Sequence, residues 1–362
     1  MPADIASTKG SRTVGRFAAE NPVFVCVISY TATSEIAGLS VAGANPALIR
    51  YTSPADAEFL YYGKCKCIDA VPATPDGKPT PALITRAALL AGGIPAFMVD
   101  AGAMIRPLIP FVSFGLGPGR NITLENAMDV SAAVQAVQHG ELVGNELARL
   151  SDLVVIGESI PGGTTTALAV LTALGIDAKF KVSSSMPDNP HALKNKVVES
   201  ALSRKGVMPG SMKSPLEAVG MFGDPMIPSV AGIAKGALMA GGKVMLAGGT
   251  QMTAVLLVLK LLGARLQDLC IGTTSYVFND KTADLAGLVN EISSSVPILS
   301  CDLHLDESVK PGLQAYSKGF VKEGVGAGGA SIAAMLKSNK LTGNKLMKAV
   351  EKEYELCIEG RH

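Results

Sequence analysis

The sequence predicts an α/β protein built on a parallel sheet flanked by helices. Three observations carry this reading. Short apolar runs alternate with helical segments from about residue 94 to 305, the pattern of repeated strand–helix units. Of the 362 residues, 39 are Gly and 21 are Pro, which suits many tight turns. Hydrophobic residues make up 48% against 17% charged, enough for a large core. At ~150 residues per domain, the length allows about two domains or one large unit with an appendage.

Each element follows in order. Residues 23–30 (VFVCVISY) form a β-rich run, and residues 31–80 are mixed and rich in turn signals. Residues 82–91 read as a helix and 94–99 (IPAFMV) as a strand. Residues 124–150 are helical, with a break expected near Gly140. A buried strand over 153–156 (LVVI) leads through a Gly/Thr turn into a helix at 165–174. Pro190 suits the first turn of a helix running to residue 204. Residues 225–239 are helical, 243–246 a strand and 250–262 a helix. Residues 269–278 and 296–303 are strand candidates with a helix between them, and the last 50 residues are mainly helical. Residues 82–305 are therefore expected to form a Rossmann-like three-layer nucleotide-binding core. Residues 1–81 and 306–357 are expected to form a smaller, more helical lobe. Residues 358–362 (IEGRH) read as a tag remnant.

Composition excludes several functions. Lys plus Arg is 32 and Asp plus Glu is 31, so the net charge of +1 gives no electrostatic footprint for nucleic acid. Aromatics are 5% and Trp is absent, which argues against base-stacking platforms. The cysteines at 26, 65, 67, 270, 301 and 357 are too few and irregular for a disulfide scaffold and suggest a reducing, cytoplasmic compartment. Residues 1–21 lack a continuous apolar core, and Lys235, Gly241, Gly242 and Lys243 interrupt the longest apolar region, so neither a secretory signal nor a membrane span is expected.

In open α/β sheets ligands bind beyond the carboxyl ends of the strands. That rule selects the turn from Gly157-Glu158 through Gly162-Gly163-Thr164-Thr165, which follows an apolar strand and opens a helix. Backbone N–H groups at a helix N-terminus favour an anion, and glycines let it approach closely. The turn is not a P-loop. Read structurally, it is a Gly-rich turn with Thr capping the helix. A second candidate is Lys322-Glu323-Gly324-Val325-Gly326-Ala327-Gly328-Gly329-Ala330, where one carboxylate stands among residues without bulk. Glu323 there is either a ligand-facing acid/base or a solvated loop charge. Glycines 324, 326 and 329 match G-x-G-x-x-G, but no apolar strand precedes them, which argues against a dinucleotide site. Cys65-Lys66-Cys67 reads as ordinary alternation rather than a soft-metal pair. Asp302, His304 and Asp306 read as a polar strand end rather than a metal site. Asp100 either meets ligand or caps the next turn.

The segment GESIPGGTTTALAVLTALG, with GELVGNELA ahead of it, resembles the G-E-x-G-I-G-N-T-T region of nicotinate-nucleotide:dimethylbenzimidazole phosphoribosyltransferases. KEGVGAGGA resembles that family's closing G-E-G-x-G-A loop. GDPMIPSVAGIAKGALMAGGKVMLAGGTQMTAVLLVL resembles its G-G-x-(D/E)-I-x-x-x-x-G segment. The resemblance covers about residues 130–337 and is strongest to a divergent archaeal and cyanobacterial branch. It implies transfer of phosphoribose from nicotinate mononucleotide to an aromatic base, giving an α-ribazole phosphate for the lower ligand of a cobamide. By the same resemblance Glu323 is the general base, and neither metal nor cofactor is needed. Gly162, Gly163, Thr164 and Thr165 match the nucleotide-phosphate loop, and Gly324 and Gly326 belong to the closing loop. Glu158 would serve the ribose or nicotinate. Lys194 falls where the family has a lysine near the phosphate, and Ser308 in ESVKPGL resembles its S-x-E-P-G element. The family pattern also implies a homodimer. Gly163 and Ile160 replace the family's Asn and Gly, and its opening P-P-G-S-L-G element is absent. These departures motivate an alternative, a non-catalytic nucleotide-binding or regulatory protein on the same fold.

Overall fold

The computed structural model describes residues 3–42, 45–74 and 76–360. Among these residues eight strands form one sheet: β1 Ile5–Ser7, β2 Pro22–Ile28, β3 Ala96–Asp100, β4 Val112–Ser113, β5 Leu153–Ser159, β6 Lys243–Ala247, β7 Leu269–Thr274 and β8 Ile298–Cys301. Their spatial order is β1-β8-β7-β6-β5-β2-β3-β4. β1 pairs with β8 antiparallel, and every other pairing is parallel. Each residue of β2 and of β5 is buried, because helices cover both faces of a parallel sheet. The expected α/β class is the one observed.

The helices that shape the site are α1 Thr52–Tyr62, α2 Ala82–Gly92, α3 Val130–Leu150, α4 Gly163–Ala173, α5 His191–Lys205, α6 Met226–Met239, α7 Gln251–Leu261, α8 Ala327–Lys337 and α9 Gly343–Cys357. One face of the sheet packs against α3 to α7 in the larger core, which gathers Val25, Val27, Val154, Ile156, Val244 and Leu246. The other face packs against α1, α2, α8 and α9, around Phe24, Cys26, Val155, Met245 and Leu299. Of this second layer, α1, α8 and α9 come from the terminal segments 1–81 and 306–357, and α2 comes from the expected core segment.

Three expectations change. The core does not begin at residue 82, because β2 lies between β5 and β3. Periodicity reports that a strand exists but not which strands flank it. The strand expected over 269–278 stops at Thr274, whose side chain accepts the Val277 N–H and starts a short helix, Ser275–Phe278. The helix over Gly140 does not break. Gly140 and Gly144 of α3 meet Gly232 and Gly236 of α6 at a close helix crossing. A Cβ on Gly144 would lie 1.9 Å from the Ile233 carbonyl oxygen, and one on Gly236 2.1 Å from that of Glu141.

The chain runs outward from β2 in both directions, so strand order reverses between β2 and β5. Such a switch point opens a crevice at the carboxyl ends of the strands.

Candidate active site

A cleft enclosing about 1040 Å³, its open mouth included, lies at that crevice. β5 delivers Glu158 and Ser159 to its floor, and the turn Ile160-Pro161-Gly162 leads into α4. Gly162 has φ +76°, the left-handed conformation that glycine adopts without a Cβ penalty, and a Cβ there would also strike Ser34 at 2.9 Å. Gly162, Gly163 and Thr164 line the cleft. Thr165 does not. It is fully buried, and its N–H donates to the Gly162 carbonyl at 2.9 Å, closing the turn. Gly162, Gly163 and Thr164 thus bring the start of α4 to the wall of the cleft.

A second strand end meets the first. β6 leads through Gly249-Thr250 into α7, and both residues line the cleft with Gln251. A Cβ on Gly163 would lie 2.5 Å from Gln251 Nε2, so the two turns abut. Thr250 Oγ1 accepts the Ser183 N–H at 2.8 Å and holds the wall formed by Ser183, Ser184 and Ser185. Sequence reasoning passed over Thr250 and Gln251, although a glycine pair after an apolar strand is the signal that exposed Gly162 and Gly163.

Glu323 enters from the loop before α8. Its carboxylate accepts N–H bonds from Thr274 at 3.0 Å, Gly328 at 3.1 Å and Gly324 at 3.3 Å, and the Thr273 hydroxyl at 3.3 Å. Burial pushes its pKa up to about 7 against those donors, which favour the charged form. The Val325 N–H donates to the Glu158 carbonyl at 3.0 Å and ties the two loops together. Burial, with the charges of Asp224, Glu323 and Asp56, pushes Glu158 up to about 8. Gly324 lines the cleft against Pro81. Gly326, at φ +68°, sits behind it against Gly157 and Phe24.

Besides Thr165 and Gly326, the structure keeps two more expected residues, Lys194 and Ser308, out of the cleft lining. Lys194 is fully buried behind the serine wall, where its Nζ donates to the Ser183 carbonyl at 2.6 Å and to Asn189 Oδ1 at 3.1 Å. Burial, aided by Lys322, lowers its pKa to about 7. Ser308 is buried against α9 and donates to Glu351 Oε1 at 2.8 Å. A local pattern shows that a polar residue is present but not which way its backbone aims it.

The remaining candidates take structural roles. Asp100 caps a turn by accepting the Gly102 and Ala103 N–H groups. The Cys65–Cys67 loop folds over Glu58, which accepts the Lys66 and Cys67 N–H groups. The strand before Asp302 ends at Cys301, and His304, at φ 50°, opens a 3₁₀ turn beside Asp4, so the three residues follow the strand end in a loop and short turn. Among the described residues no group of three or more His, Cys, Asp or Glu is placed to hold a metal ion. The glycines at 324, 326 and 329 enter α8 from a loop without a preceding strand, so the dinucleotide geometry is missing.

Comparison with known proteins adds to this geometry. A phosphoribosyltransferase family model matches residues 91–309. A UPF0284 protein of Archaeoglobus fulgidus is 48% identical over 92% of this chain and 94% of its own length. One from Sulfurisphaera tokodaii is 44% identical over 92% and 93%. Among solved structures, a nicotinate-nucleotide-dimethylbenzimidazole phosphoribosyltransferase from Thermus thermophilus shares the fold at TM-score 0.62 and 17% identity, over 94% of this chain and 88% of that one. A structure of CobT from the same organism matches at TM-score 0.63 and 18% identity, over 95% and 92%. No helix among the described residues is long and apolar enough to cross a membrane. The family model, the near full-length relatives and the shared fold lead to one conclusion: the chain belongs to the phosphoribosyltransferase family of the nicotinate-nucleotide:dimethylbenzimidazole type.

Proposed function

We propose that the protein transfers phosphoribose from nicotinate mononucleotide to a benzimidazole-type or purine base, releasing nicotinate and giving an α-linked nucleotide for a cobamide lower ligand. The observation that carries this reading is the convergence in one cleft of the α4 N-terminus, Glu158 and Glu323. The nucleotide phosphate sits at the Gly162–Thr164 amides, where N–H dipoles and the Thr164 hydroxyl favour negative charge. Glu323 takes the proton from one ring nitrogen of the acceptor while the other nitrogen attacks C1′ of the ribose. The C1′–N bond to nicotinate breaks, and its electron pair returns to the pyridinium, which leaves as a neutral ring. Attack opposite the leaving group inverts the β-linkage to α.

The two carboxyls divide the work. Glu323, at about 7, is available as a base at neutral pH. Glu158, at about 8, keeps its proton there and donates a hydrogen bond to the ribose or nicotinate. Lys194 acts one layer back, fixing the Ser183 wall. We also place the protein in the cytoplasm, and as a homodimer, an assembly state that sedimentation in solution tests.

The deciding experiment incubates the protein with nicotinate mononucleotide and a panel of bases, following free nicotinate and nucleotide product by mass spectrometry. An α-linked product with at least one base is the expected result. Nucleotide binding with no product from any base would replace the reading with a non-catalytic nucleotide-binding role.

A further inference from the structure

The wall of the cleft contributed by the N-terminal third carries a carboxylate that the transfer mechanism does not use. Asp56 on α1 lines the cleft and is only 3% exposed. Its oxygens accept the Thr80 and Ser159 hydroxyls, each at 2.7 Å, and among the described residues no cation accompanies them. An ionised carboxylate only accepts, so both hydroxyl protons are committed to it. Thr80 Oγ1 also accepts the Ala82 N–H at 3.2 Å, which fixes the hydroxyl in place. Asp56 retains unused lone pairs, because two neutral donors satisfy about half of a carboxylate's capacity. A buried charge so thinly compensated is costly unless a ligand completes it.

Thr52 stands one turn earlier on the same face of α1 and also lines the cleft. Its Oγ1 is buried and has no hydrogen-bond partner. The wall therefore offers a surplus acceptor beside an unspent hydroxyl. It lies close to the proposed general base, since Thr80 is followed by Pro81, which packs against Gly324 next to Glu323. Pro81 and Val325 supply apolar contact for an aromatic ring there.

We propose that Asp56 and Thr52 are specificity-determining residues that select an acceptor base bearing an amino or hydroxyl donor on its edge. This deepens the transferase reading and rests on it for the identity of the ligand as the acceptor. Asp56 accepts the ring substituent's proton, and Thr52 donates to a neighbouring ring or substituent lone pair. A base carrying only methyl groups at that edge would bury the carboxylate unsatisfied.

The test is calorimetric binding of free bases to the intact protein in the presence of nicotinate mononucleotide, with turnover measured in parallel. 5-Hydroxybenzimidazole and adenine are compared with benzimidazole and 5,6-dimethylbenzimidazole, for wild type, D56N and T52V. We expect the hydroxyl- and amino-bearing bases to bind roughly 10- to 100-fold tighter than their donor-free counterparts, the range of a hydrogen bond to a charged group. D56N should erase that preference rather than weaken all bases alike. T52V, which breaks no hydrogen bond within the protein, should narrow the preference without lowering Tm. It keeps the test decisive should D56N fail to fold. Equal binding of both classes by wild type, or an unchanged preference in both variants, overturns the proposal. Selective binding without turnover would leave the proposal standing and overturn the transferase reading alone.

Discussion

Four donors surround the Glu323 carboxylate, and their arrangement decides how it responds to substitution. Glu323→Gln keeps the shape but removes the basic oxygen and points an amide toward N–H groups. Turnover is expected to fall roughly 100- to 10,000-fold, the usual worth of a positioned base. Nucleotide affinity, measured by calorimetry, should stay within about 3-fold, because the phosphate contacts lie on α4. The pH profile follows from the same site. Glu323 acts only when deprotonated, and burial has raised it to about 7. Wild-type kcat/KM should therefore drop as pH falls below about 7, not below the ordinary carboxylate range near 4. A profile flat down to pH 5 would remove Glu323 from the base role. Glu323 and the Gly162–Thr164 turn were legible in the sequence because each sits inside a short local pattern. Asp56 and Thr52 were not. They lie in the aperiodic stretch 31–80, and Asp56 reaches its partner Ser159 across 103 residues. Only the folded chain shows that the two meet.

At the scale of elements, the α3–α6 crossing is the contact most sensitive to a single methyl group. Gly144→Ala places a carbon 1.9 Å from a carbonyl oxygen and must push the helices apart. A destabilisation of about 1–3 kcal/mol or more is expected, read as a fall of several degrees in Tm. Gly15→Ala is the matching control, since its helical Cβ would meet nothing within 4 Å. That change should be neutral or raise stability by up to about 1 kcal/mol through helix propensity. Equal effects from the two would mean that the crossing is looser than its geometry indicates. The existence of most helices and strands was legible because apolar periodicity is a local signal. Gly140 was misread because one residue type serves both to end helices and to let them touch, and the sequence around it does not distinguish the two.

Across the whole molecule, burial raises the carboxyls of Asp56, Asp224, Glu323 and Glu158, to about 6, 6, 7 and 8. Each binds its proton more tightly when folded than when unfolded. The stabilisation is complete below the unfolded values and is lost as pH climbs through the folded ones. The ligand-free protein should melt at a lower temperature near pH 7 than near pH 5, and Glu323→Gln should flatten that slope. A Tm that rises over this interval would contradict the burial of the cluster. Strand order was the least legible feature, because the side chains of β2 say that it is covered on both faces but not by what. That order also bears on how the sheet is assembled. After β2, each strand from β3 to β8 docks on an edge that already exists, so the sheet can grow as the chain emerges. β1 is the exception: Ile5 pairs with Cys301, across nearly the whole sequence. The first strand made is the last to find its neighbour, and closing so long a loop adds entropy cost that no local contact offsets. Nascent chains halted before residue 298 should therefore hold a seated sheet around β2 while residues 5–9 stay open to protease, and that cleavage should cease once β8 is released.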